Sequence, residues 1–344
     1  MPDDRRELSR RDFFRRVGCL AGGGALAGMG LAAGCGSEKA APTAGGAAAE
    51  RAAFQGKEPY EATPILPVDA QRLRGVAVDG EGRIWVAAER GAIAFDEEGT
   101  ATRALETPGP AHAVALDSEG AVFVALRSEV RKYSASGALE ASWDGTARGR
   151  DGFRHIASLA VSGYNLYVGD PGRRRVLRYD ITGDFIAEIG GPDREGDPGI
   201  VSPSMFLGVA APSEDEVVFA NHGRKRVEWR RPDGRLTRRW GRAGLDPEGF
   251  CGCCNPVHIA FAPGGRLVTV EKGIPRVKVY SSEGDLLSLM DVDTVRPVAP
   301  EGRTDWLSSE CFGAAAVDAR GRLLVLHPEG RWIWRFARKG AEVA

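Results

Sequence analysis

The chain has 344 residues, enough for one to three domains with a sizeable core. Its 46 basic and 47 acidic side chains leave a net charge of −1, which excludes a general electrostatic attraction to nucleic acid or to an anionic lipid surface. With 46 glycines against 4 methionines, the composition suits many short strands and tight turns and argues against a helical bundle.

In chain order the N-terminus comes first. Ser9-Arg10-Arg11-Asp12-Phe13-Phe14-Arg15 resembles a twin-arginine export signal, in which two arginines precede a polar residue and then large apolar ones. The Gly/Ala-rich run over 17–33 is too short and too weakly apolar for a permanent membrane span, and it reads as the apolar region of that signal. A surface helix with a chance arginine pair is the alternative, but its glycines would make it a poor helix. Leu31-Ala32-Ala33-Gly34-Cys35 resembles a lipobox, with Ala32 where leucine is commonest, so Cys35 is the expected lipidation site. Cleavage nearby and release as a soluble protein is the other outcome. The stretch 36–53 is Ala/Gly-rich without apolar periodicity and reads as a flexible tether. The expected organisation is therefore a signal over 1–35, a linker over 36–53 and a folded domain over 54–344. That domain would stand on the periplasmic side, touching the membrane only through a lipid anchor.

From residue 75 onward the sequence repeats itself. Each unit has an apolar strand, a Gly-containing turn, a second strand, a polar loop and a third strand ending in an aromatic residue. The six sets of strands fall at 75–79, 82–86 and 92–95; 113–117, 120–124 and 130–133; 159–161, 165–168 and 175–179; 207–210, 217–220 and 226–229; 258–261, 266–269 and 276–280; and 315–318, 322–325 and 332–336. A fourth, outer strand follows the first five, as at 184–189 and 235–240, and only the sixth lacks one. Residues 60–66 form a spare extended segment, and pairing it onto the sixth unit would close a ring and remove both free edges. The predicted fold is all-β: a six-bladed β-propeller of four-stranded antiparallel blades closed by an N-terminal strand. Pro256-Val257-His258-Ile259-Ala260 and the acidic residue ahead of Arg-Val resemble the NHL-repeat family of propellers, over about residues 60–340. A solenoid stack is the competing architecture, but it needs capping units that the sequence does not show.

A propeller of this kind gathers on one face, the top, the loops before each innermost strand and those joining second and third strands. Asp170, Asn221, Glu271 and His327 take equivalent positions after the second strand of four successive blades, with Arg175, Arg226 and Arg276 opening the next strand in three of them. The resemblance implies an acid–arginine pair that braces the blade internally, and His327 departs from it. These four residues, with His112, His155 and His258 at the starts of inner strands, make up the candidate top-face binding set. A propeller peptidyl-amidating lyase similarly holds zinc with histidines from separate blades. Here the three histidines differ in register by a residue or so, which also suits buried, hydrogen-bonded side chains.

The cysteines stand out most. Phe250-Cys251-Gly252-Cys253-Cys254-Asn255-Pro256 precedes the fifth inner strand, and Cys311 occupies nearly the same point before the sixth. Three readings stay open: structural disulfides in an oxidising compartment; thiolate ligation of Cu, Zn or an iron–sulfur cluster by Cys251, Cys253, Cys254 and Cys311; and a strained redox-active disulfide engaging a partner. Export of the folded protein permits a preloaded cofactor. The runs at Arg173–Arg175, Arg224–Arg226 and Arg238–Arg239 suit an anionic partner or simple solvation. No nucleophile elbow, phosphate loop or His-Glu-x-x-His helix is present. The leading expectation is a non-enzymatic, membrane-tethered propeller with a four-cysteine metal or electron-transfer site and a protein partner at its top face. An interaction scaffold stapled by disulfides comes second, and a propeller lyase or lactonase third.

Overall fold

A computed structural model of the chain describes residues 57–146, 151–192 and 199–340. The signal arginines Arg10 and Arg11, the lipidation site Cys35 and the 36–53 linker lie outside the described residues.

The structure is a six-bladed β-propeller. Blade I comprises β2 (Gly75–Val78), β3 (Ile84–Ala88), β4 (Gly91–Phe95) and β5 (Ala101–Glu106). Blade II comprises β6 (Ala113–Leu116), β7 (Val122–Ala125), β8 (Val130–Tyr133) and β9 (Leu139–Trp143). Blade III runs β10 (Ser158–Ser162), β11 (Asn165–Asp170), β12 (Arg175–Asp180) and β13 (Phe185–Ile189). Blade IV runs β14 (Val209–Ser213), β15 (Glu216–Asn221), β16 (Arg226–Arg230) and β17 (Leu236–Trp240). Blade V holds β18 (His258–Ala262), β19 (Arg266–Glu271), β20 (Arg276–Tyr280) and β21 (Leu286–Asp291), and blade VI holds β22 (Ala315–Val317), β23 (Leu323–Leu326) and β24 (Trp332–Arg338). Every pairing within a blade is antiparallel.

Burial explains why the strands were visible in the sequence. The second strand of each blade is sandwiched between neighbouring blades, so β3, β7 and β23 are buried at every position and read as unbroken apolar runs. Outer strands such as β17 alternate between half-buried and exposed residues, since only one face of each packs inward. The first turn of three blades repeats one device. Asp79, Asp117 and Asp318 each accept backbone N–H groups two and four residues on. The glycine three residues on takes positive φ, 81°, 86° and 75° at Gly82, Gly120 and Gly321.

The spare N-terminal segment does close the ring. β1 (Tyr60–Pro67) pairs antiparallel with β24, from Tyr60 opposite Arg338 to Pro67 opposite Trp332, and so becomes the outer strand of blade VI. Leu66 on β1 packs with Val76, Leu324 and Ile333 where blade VI meets blade I. This first-to-last seam is non-local and has no turn to enforce it, so side-chain packing must hold it. Leu66→Ala should cost about 2–5 kcal/mol of unfolding free energy. Chemical denaturation read by tryptophan fluorescence checks it, and an unchanged midpoint would show that the seam does not depend on this residue.

Candidate functional site

The six inner strands line a central channel, and its top mouth widens into a cavity of ≈330 Å³. His112, His155 and His258 all line this mouth, together with Arg74, Lys272 and Glu310. Met205, Phe206 and Phe312 supply much of its apolar wall. The three histidines therefore converge despite their unequal registers, because each stands at or near the start of an inner strand where that strand enters the channel. Between blades IV and V the backbones come very close: a Cβ on Gly208 would lie 2.9 Å from the Cα of His258, so that position accepts only glycine without displacing the histidine.

The hydrogen bonds assign protons to two of the rings. The Arg74 guanidinium has no acceptor atom, so its Nη1, 3.2 Å from His112 Nε2, must donate, and His112 carries its proton on Nδ1. His258 Nδ1 accepts from the Ala315 backbone N–H at 3.2 Å, which leaves its proton on Nε2. The His155 ring meets that of His112 edge-on at 5.2 Å, and its Nδ1 is buried with no hydrogen-bond partner. Burial lowers all three pKa values, to about 4 for His112 and His258, and the positive charges of Arg74 and Arg127 push His112 further in the same direction. The mouth thus holds neutral imidazoles beside the basic side chains of Arg74 and Lys272. Lys272 Nζ sits 4.4 Å from the centre of the Phe206 ring and 3.3 Å from Glu310 Oε1.

Asp170, Asn221, Glu271 and His327 do not line the cavity; they are fully buried behind it. Three of them fasten the loop that precedes their own blade. The Asp170 carboxylate accepts from the backbone N–H groups of Arg154, His155 and Arg173. Asn221 Oδ1 accepts from Val201 N–H, while its Nδ2 donates to Gly199 O and to Glu228 Oε1. Glu271 Oε2 accepts from Cys251 N–H at 3.4 Å. His327 instead packs on Trp332 and accepts from Gly330 N–H. The expected acid–arginine brace is not the pairing formed. Asp170 meets Arg173 at 3.8 Å, Arg175 turns to Glu188, and Glu271 takes the fully buried Lys278 at 2.5 Å. Standing at the strand end, these side chains reach the loop's free N–H groups, and an unpaired buried N–H is costly.

The cysteines divide in the same way. Cys251 and Cys311 are buried, whereas Cys253 is exposed and Cys254 half-buried. Asn255 Nδ2 donates to Cys251 Sγ at 3.3 Å, and burial pushes the Cys311 thiol up to about 12. Cys253 Sγ and Cys254 Sγ lie 3.2 Å apart. Among the described residues no three His, Cys, Asp or Glu side chains converge as a metal-ligand group.

The sequence reading missed Arg74, Lys272, Glu310 and the Met205–Phe206 rim. Each of the three charged residues was adjacent to a position already singled out: Arg74 directly precedes the first inner strand, Lys272 follows Glu271, and Glu310 precedes Cys311. It also missed His222, fully buried with Nε2 3.1 Å from Ser204 Oγ, which supports the loop carrying Met205.

No protein-family model matches the chain, and no curated protein does. Solved structures are similar in fold. A gluconolactonase from Xanthomonas campestris superposes with a TM-score of 0.57 at 18% identity, over 80% of this chain and 98% of its own. A streptogramin B lyase gives 0.55 at 11%, over 83% and 100%. A catalytically inactive histidine-to-alanine variant of virginiamycin B lyase from Staphylococcus aureus, with quinupristin, gives 0.53 at 13%, over 81% and 99%. At such identities the likeness establishes the six-bladed propeller class and nothing finer.

Two outcomes follow from this geometry. Asp170 faces only donors and Asn221 faces one donor and two acceptors, so the near-isosteric exchanges D170N and N221D should each destabilise the fold by about 1–3 kcal/mol, measured by urea denaturation. N221D would also set a second carboxylate against Glu228. For pH the sign is fixed by the lowered histidine values. Unfolded histidines take up protons as pH falls through about 6.5, but folded His112 and His258 do so only near 4. Stability is therefore full above that range and is lost between 6.5 and 4. His258→Asn, which keeps an acceptor for Ala315 N–H, should flatten the fall of melting temperature between pH 7 and 5; an unaltered slope would show that His258 is not buried neutral.

Proposed function

We propose that this chain is an exported, lipid-anchored propeller of the NHL-repeat type whose channel mouth acts on a small molecule by proton transfer, as a lyase or a lactonase does. The observation that carries this reading is the meeting of three neutral histidines and two cations around one apolar-walled cavity. His155, which lines the cavity, is the proton acceptor, kept deprotonated near neutral pH by burial. His258 offers its Nε2 proton to a substrate oxygen. Arg74 holds the His112 ring in one tautomer, and Lys272 with Arg74 favours substrates that carry or develop negative charge. The gluconolactonase and lyase neighbours support the reaction class through the shared fold alone.

A protein-binding face is the second reading. It is favoured by the exposed rim residues Met205 and Phe206, 48% and 36% accessible. A panel of lactones and cyclic ester peptides, followed by product mass spectrometry, separates the two. Turnover that falls by about 10²–10⁴-fold in His155→Ala supports the enzyme. Equal turnover in the wild type and in both His155→Ala and His258→Ala removes it, and no turnover by the wild type favours the binding face.

A further inference from the structure

The loop between blades IV and V has a use for two of its cysteines that the histidine cavity does not involve. Its base is pinned from below. Lys278 Nζ donates to Gly249 O at 2.8 Å, and Glu271 receives the Cys251 N–H. Asn255 bonds to Cys251 O and to both N–H and C=O of Lys272. These contacts fix residues 249–251 and 255 and commit Cys251 to the interior. Cys311 is sealed in the core beside Phe312, with its backbone carbonyl bonded to Trp334. Cys253 and Cys254 are left on the outer turn, sulfur to sulfur at 3.2 Å. Cys253 stands in solvent, while Cys254 leans on the blade V–VI core. The neighbouring Cys254 thiol raises the pKa of Cys253, and the positive charge of Lys225, which acts on Cys251, Cys253 and Cys254, opposes this in part.

We infer that Cys253 and Cys254 form a thiol–disulfide exchange site whose substrate is a solvent-exposed disulfide. The Cys253 thiolate attacks one sulfur of the incoming bond, forms a mixed disulfide and releases the first thiolate. Cys254 then attacks the Cys253 sulfur, closes a bond between the neighbouring residues and releases the second thiolate. The two cysteines lose two electrons and two protons, and the incoming disulfide gains them as two thiols. The order follows from access, since only Cys253 can be approached freely, and attack requires access as well as a thiolate. Adjacency then sets the character of the product. Neighbouring Cα atoms are about 3.8 Å apart, below the usual disulfide span of about 4.4–6.8 Å. The closed pair is thus strained and readily reduced again, as strained, exposed disulfides are.

The test uses the reduced full chain with two disulfide probes, oxidised glutathione and insulin. After acid quenching and alkylation, peptide mass spectrometry locates every blocked thiol. The expected wild-type result is a Cys253–Cys254 bond with Cys251 and Cys311 still alkylated, and Cys254→Ser stops at a stable glutathione adduct on Cys253. Faster reaction with insulin assigns a protein disulfide as substrate, and faster reaction with glutathione a small one. The inference is overturned if Cys253 and Cys254 both remain alkylated, if the wild type stops at the mixed disulfide, or if a bond forms to Cys251 or Cys311 instead. Circular dichroism of Cys253→Ser and Cys254→Ser should match the wild type, since the pinning contacts lie elsewhere in the loop.

Discussion

A buried polar side chain at the end of a second strand, bonded to the backbone of the loop above it, is the interaction on which this top face depends. Asp170 holds the loop of His155, Asn221 the loop that leads to Met205 and Phe206, and Glu271 the loop of the cysteines. A loop that runs over the mouth of a channel has few strand partners, and its N–H groups would otherwise be buried unpaired. The latch satisfies them and fixes where the loop's other residues point. Because donors and acceptors must match, the latch is an acid where the loop offers N–H groups and an amide where it offers both kinds.

The same enclosure sets the electrostatics of the mouth. Removing imidazoles from water disfavours their charged form, and Arg74 and Arg127 disfavour it for His112 as well. The Arg74 guanidinium has only donors to offer, so it selects the tautomer of His112 with a free Nε2 acceptor. Phe206 beneath the Lys272 ammonium joins the apolar rim to the charged lining.

The histidine-lined cavity and the Cys253–Cys254 pair are separated by the same pinned loop. Its inner end turns Cys251 into the core and leads through Asn255 to His258 and the cavity. Its outer turn carries Cys253 into solvent and leaves Cys254 half-buried against the blade V–VI core. Burial thus sorts the four thiols, with Cys251 and Cys311 in the interior, Cys253 exposed and Cys254 half-buried.

By itself the sequence determined the architecture. Unbroken apolar runs at second strands, alternation at outer strands, Asp-x-x-Gly turns and a spare 60–66 segment are local patterns, each tied to backbone geometry, and together they specify six blades and their closure. It also placed His112, His155 and His258 near a common face. It did not reveal Arg74, Lys272 and Glu310, since a charged residue beside a strand end looks the same whether it faces water or a cavity. Nor did it tell a latch from a ligand at Asp170, Asn221 and Glu271, or an interior thiol from an exposed one at Cys251 and Cys253, two residues apart. Those distinctions rest on which neighbouring blade covers each side chain and which loop N–H groups lie within reach, and only the closed ring decides that.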